Sequence, residues 1–110
     1  MKLKLLSYEG RMRRRDYAII GLAIGLLYTP IIIYLESFPF SILYIPVYLI
    51  AAALFVLAVF LIIKRLHDIG LSGLYWLVIL IPVINIGFEL WLLIKPGMQG
   101  PNEYGEDPKG

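Results

Sequence analysis

The hydrophobic positions of the chain fall in long uncharged runs rather than in short alternating stretches. No Asp, Glu, Lys or Arg occurs from Tyr17 to Leu35, from Ser37 to Ile63, or from Ile69 to Phe88. An α-helix needs about 20 predominantly apolar residues to cross the hydrocarbon core of a bilayer. The runs therefore predict an all-α integral membrane protein with three transmembrane helices, at about 17–35, 40–63 and 73–94. A soluble bundle of helices apolar on every side would need further helices to cover them, and the chain has none to spare. The third run is interrupted by Pro82, Asn85 and Gly87. They permit an alternative fold, two crossings plus a re-entrant helical hairpin, whose irregular backbone would need cover from the other helices.

Punctuation residues place the ends. Asp16 precedes the first run, where a carboxylate can cap free backbone N–H groups. Pro30 falls inside it and predicts a kink, and Pro46 marks a kink or a delayed start in the second. Gly70 is placed to end the second helix in a left-handed conformation, with Ser72 or Gly73 opening the next. Three regions follow: a basic arm at 1–16, a single helical membrane domain at 17–94, and a polar tail rich in Gly and Pro at 95–110.

Composition sharpens this reading. Of 110 residues, 60% are hydrophobic and 16% charged, against about 25% charged in a typical soluble domain. The mean hydropathy is +0.81. The absence of cysteine excludes disulfides and thiolate metal sites. The net charge of +2 matters less than its placement. Lys2, Lys4, Arg11, Arg13, Arg14 and Arg15 outnumber Glu9 and Asp16 in the arm. Such segments stay in the cytoplasm, so the N-terminus is expected there. Three crossings would put the tail outside; the hairpin would return it to the cytoplasm.

The stretch FLIIKRLHDIGLSGLYWLVIL joins two apolar runs through a polar knot holding His67, the sole histidine. On a helix, Asp68 can meet both Lys64 and Arg65. The basic members can anchor topology or reach lipid phosphates. A lone histidine without cysteine or an acidic cluster is a poor metal site, and no metal or cofactor is expected. Glu89 is costly inside a bilayer, by about 2.5–3.5 kcal/mol at mid-depth. Asn85, one turn earlier, would share a polar face with it, together with Pro82 and Tyr75. Alternatively Glu89 lies near the interface and reaches outward. Gly21 and Gly25 form a small-residue pair for helix packing, within the chain or between copies, with Ala51 and Ala58 as a receiving face. No nucleotide, protease or nucleophile motif is present, and no enzyme is expected. The arm is too short and too close to a membrane helix to read as a nucleic-acid site.

Three blocks resemble one family. GRMRRRDY (10–17), KRLHDIGLSG (64–73) and PGMQGPNEYGEDP (96–108) are similar in order and spacing to the motifs of the domain of unknown function 805 family, small multi-pass bacterial inner-membrane proteins. Arg13, Ala18, Lys64, Leu71 and Leu74 depart mildly from its pattern. The resemblance implies a bacterial inner (plasma) membrane location and marks Arg11, Arg14, Arg65, His67, Asp68 and Ser72 as a polar cap. It also marks Gly97, Gly100, Asn102, Tyr104, Gly105 and Asp107 in the tail. A mere anchor needs positive charge but no fixed Arg-Leu-His-Asp order, so Asp68 is expected to bridge Arg11 or Arg14.

The function expected is that of a membrane module. Its cytoplasmic cap would bind anionic membrane lipid or a partner membrane protein, with homo-oligomers as a further possibility. The alternative is a small oligomeric transporter or channel subunit using the Asn85–Glu89 face.

Overall fold

A computed structural model describes residues 9–108; Lys2 and Lys4 of the expected arm lie outside them. Three α-helices form: α1 (Arg14–Ser37), α2 (Ile45–Ile69) and α3 (Ile84–Ile94). Short 3-10 segments occupy Ile42–Tyr44 and Gly73–Leu80. Among the described residues there is no β-strand, only one isolated bridge between Asn102 and Gly105.

α1 and the Ile42–Ile69 stretch are long and apolar enough to cross a membrane. Only 6% and 22% of their most apolar windows are buried inside the protein. A soluble core helix would be mostly buried, so these surfaces have lipid as their natural solvent. Leu22, Leu26, Leu27, Leu49 and Ile50 are all exposed. A buried cluster lies at one end, where Met12, Tyr17, Leu61, Ile62, Leu66, Ile69 and Leu92 pack together, while Leu35, Ala51 and Val59 are buried outside it.

The helix ends correct one sequence expectation, Asp16 as a cap, and bear out Gly70 as the end of α2. α1 begins at Arg14, with Arg13 in the N-cap position and no side-chain cap. Asp16 lies inside the first turn, where its carboxylate accepts from Arg13 Nε at 3.0 Å instead of capping. A carboxylate there still favours the positive end of the helix dipole. α2 continues through the polar knot to Ile69, because its buried polar side chains find partners on neighbouring segments. Pro46 sits in the first turn, the position proline tolerates best. Gly70 ends α2 with φ +93° as expected, its N–H pointing to the His67 and Leu66 carbonyls.

The straight third crossing expected at 73–94 does not form. Its first half is a 3-10 segment capped by Ser72 Oγ, which accepts from Leu74 N–H at 3.2 Å. The chain then bends at Ile81–Val83 and α3 runs back. Pro82 cannot continue a helical ladder, and Asn85 Nδ2 donates to the Ile79 carbonyl at 3.1 Å, closing the turn. Gly73 packs against Ile63 and His67, while the Ile94 carbonyl accepts from Arg14 at 2.7 Å. Both ends of the hairpin therefore lie at the same end of the molecule.

Val83 adopts φ +69° and ψ −51°, the strained γ-turn closed by Ile84 N–H on the Pro82 carbonyl at 2.8 Å, which costs a β-branched residue roughly 1–3 kcal/mol. Val83→Gly is expected to raise stability by about 1 kcal/mol, whereas Ile84→Gly inside α3 lowers it by about 1 kcal/mol. Thermal unfolding in detergent checks the opposite signs.

Candidate polar cap and intramembrane carboxylate

Arg65 and Asp68 are three residues apart on the last turns of α2 and so share one face. Both are almost completely buried, with 0% and 1% of their surface exposed. Arg65 Nη1 pairs with Asp68 Oδ2 at 2.5 Å. The rest of its guanidinium holds three segments together. Nε donates to the Leu92 carbonyl at 2.7 Å, Nη1 to the Met12 carbonyl at 3.3 Å, and Nη2 to the Lys95 carbonyl.

Arg11 approaches Asp68 from the other side. Its Nε donates to Asp68 Oδ1 at 3.1 Å and its Nη2 lies 3.0 Å from the same oxygen. Nη1 and Nη2 also reach the carbonyls of Gly100 at 2.6 Å and Met98 at 2.5 Å. One carboxylate thus bridges two buried guanidinium groups, and those groups satisfy backbone carbonyls of the tail and of α3. A planar fork of five donors suits this task; a lysine would not supply it.

The backbone must come very close for this to work. A Cβ at Gly97 would lie 1.9 Å from Asp68 Oδ2, and one at Gly70 would lie 2.3 Å from Met98 Sδ. Met98 N–H donates to the Asp68 carbonyl at 2.7 Å, fixing the tail against the end of α2. Sequence reading counted Gly97 as part of a motif without a role; its role is this close approach.

The remaining tail residues complete the cap. Asn102 Nδ2 donates to the His67 carbonyl at 2.9 Å, and Asn102 Oδ1 accepts from Tyr104 N–H at 2.8 Å. The Tyr104 ring stacks on the His67 ring at 4.0 Å. Asp107 accepts from Gly100 N–H at 2.9 Å, and the Gly105 carbonyl accepts from Arg11 at 3.3 Å. The Tyr104 phenol is pushed above its usual pKa, first by loss of solvent and then by neighbouring Glu103. His67 Nδ1 lies 2.9 Å from the Gly10 carbonyl, which only accepts, so Nδ1 carries a proton.

The expected residues separate into groups. Arg11, Arg65, His67 and Asp68 meet, and the tail joins them. Asp68 pairs with Arg11, while Arg14 instead reaches Ile94. Ser72 stands aside as a cap of the 3-10 segment. The guanidinium groups of Arg11 and Arg65 are turned inward, onto Asp68 and backbone carbonyls.

The face expected to hold Tyr75, Pro82, Asn85 and Glu89 divides. Asn85 closes the hairpin, and Tyr75 and Pro82 are exposed. Glu89 points to α1 and accepts from the Tyr17 hydroxyl at 2.6 Å. Asn85 and Glu89 still share an open recess of about 450 Å³ with Ile79, Ile86 and Leu90. Gly21 and Gly25 do not form the tight helix contact expected within one chain, since no atom lies within 4 Å of where their Cβ atoms would be. They line a cavity instead, with Ala58 across it. Tyr17 was visible only as a motif residue; nothing in its spacing links it to Glu89.

Comparison with known proteins agrees with the sequence motifs. The profile of the family described as "Protein of unknown function (DUF805)" matches residues 5–106. The chain is 37% identical to the inner membrane protein YhaI of Escherichia coli strain K12 over 110 residues, covering 94% of this chain and 86% of that protein. The corresponding protein of Escherichia coli O157:H7 matches equally. No solved structure matches. The chain belongs to the DUF805 family.

Asp68→Ala leaves two buried guanidinium groups without their counter-charge. It is expected to cost about 3–5 kcal/mol and to release the tail to limited proteolysis. Gly97→Ala is expected to act in the same direction by displacing the Asp68 carboxylate. Thermal unfolding and protease mapping in detergent measure both.

Proposed function

We propose that this is a multi-pass inner-membrane protein with two crossings and a re-entrant hairpin, whose cytoplasmic cap binds anionic lipid headgroups. One observation carries the reading: the arm, the end of α2, both hairpin ends and the tail converge at one end of the molecule. All seven Lys and Arg residues among the described residues belong to those segments. The opposite turn carries Glu36 as its charged residue. Basic residues concentrate on the cytoplasmic side, so this asymmetry supports a cytoplasmic N-terminus and a cytoplasmic tail together. The three-crossing alternative would strand Lys95 and Lys109 outside.

Within this reading the cap has two layers. Arg11, Arg65 and Asp68 are its internal clasp. Arg14, Arg15 and Lys95 are exposed around the clasp, at the level where α1 begins and α3 ends. The Arg15 side chain is 66% exposed. Anionic headgroups attract each basic residue near the surface by about 1 kcal/mol. The lipid site is thus the exposed rim, and the clasp holds that rim in shape.

Two measurements test the reading. Because the chain lacks cysteine, Ser37→Cys and Gly110→Cys can be labelled singly with an impermeant thiol reagent. Ser37→Cys is expected to react in intact spheroplasts and Gly110→Cys only after lysis; reaction of both in intact spheroplasts would refute the topology. The double variant Arg15→Gln, Lys95→Gln is expected to retain phosphatidylglycerol less than wild type, by about tenfold or more, in native mass spectra. Unchanged retention would refute the rim as the lipid site.

A further inference from the structure

A cavity of about 180 Å³ lies between α1 and α2 just beneath the cap. Tyr17 and Glu89 form its upper end, and Tyr28, Leu54 and Phe55 line its deeper part. Tyr17 and Tyr28 are eleven residues apart on α1, a separation of roughly 16 Å along the helix. The space is therefore long and narrow. Gly21 and Gly25 keep its wall low, with nothing within 4 Å of where side chains would begin.

One end of this apolar channel is a carboxylate. Among the described residues Glu89 joins no ion pair, and its partner is the neutral Tyr17 hydroxyl. Two cations of the cap, Arg11 and Arg65, are engaged with Asp68. A carboxylate at membrane depth with no direct ion pair is costly, and such groups mark sites that take a partner. The partner must bring positive charge to Glu89 and apolar length to the channel below. The rings of Tyr28 and Phe55 suit an alkyl chain.

We propose that this cavity binds a single-chain alkyl ammonium. Its head donates to Glu89 and to the lone pairs of the Tyr17 hydroxyl, and its tail runs past Gly21 and Gly25 toward Tyr28. A neutral chain leaves the Glu89 carboxylate without an ion pair. The inference is separate from the lipid-binding rim, which lies outside the clasp and holds basic rather than acidic groups.

The test uses the full chain in phosphatidylcholine nanodiscs, titrated with dodecylamine and with dodecanol and read by native mass spectrometry. Wild type is expected to bind dodecylamine more tightly than dodecanol, by about tenfold or more. Glu89→Gln is expected to remove that preference while leaving dodecanol binding unchanged. Gly25→Leu fills the channel and is expected to weaken both ligands. Circular dichroism and the thermal midpoint verify that each variant is folded. Equal binding of the two ligands by wild type, or a preference that survives Glu89→Gln, would overturn the proposal and leave only an apolar trough for lipid tails. Disulfide-linked dimers of Gly25→Cys, with no dodecylamine bound by wild type, would overturn it in favour of a second copy as the occupant.

Discussion

The Asp68 carboxylate sits between two buried guanidinium groups, and the shape of the molecule depends on that arrangement. Charge buried in low dielectric is destabilising unless it is paired and its remaining donors are satisfied. Here both conditions hold. Arg11 and Arg65 spend their other N–H groups on carbonyls of the Met12, Leu92, Lys95, Met98 and Gly100 residues. These carbonyls belong to the arm, α3 and the tail. A stretch with little regular structure, from Lys95 onward, is thereby held in one conformation by side chains remote in sequence. Replacing the ion pairs with apolar groups would not reproduce this, because the carbonyls would lose their donors.

The same clasp explains why the third hydrophobic run folds back. A straight helix from Gly73 to Ile94 would carry the tail to the far end, away from Arg11 and Arg65. Returning α3 to the cap satisfies the guanidinium groups, and Asn85 closes the turn by donating to the Ile79 carbonyl. Regular helix is lost around Pro82, and strain is accepted at Val83.

Sequence disclosed the large features well, because uncharged runs of spanning length report directly on solvent. Gly70 as a helix end, Pro46 in a first turn and the Arg65–Asp68 pair were also legible, since each depends on local spacing. The misses share one cause. Asp16 as a cap, Gly21 and Gly25 as a tight contact, and the straight third crossing all turned on which distant segment arrives. Tyr17 and Glu89 are separated by most of the chain, and hydrophobic periodicity carries no information on their meeting. The hairpin had a visible signal in Pro82, Asn85 and Gly87, but residues of that kind also occur in continuous membrane helices.

The most direct measurement of the central claim is a pair of distances by pulsed electron paramagnetic resonance. One doubly spin-labelled variant carries labels at Arg15 and Glu103, the other at Ser37 and Glu103. If Asp68 holds the tail to the cap, the Arg15–Glu103 distance is the shorter one and the Ser37–Glu103 distance approaches the length of α1, roughly 36 Å for its 24 residues. A tail found nearer Ser37 than Arg15 would contradict the clasp and the hairpin together.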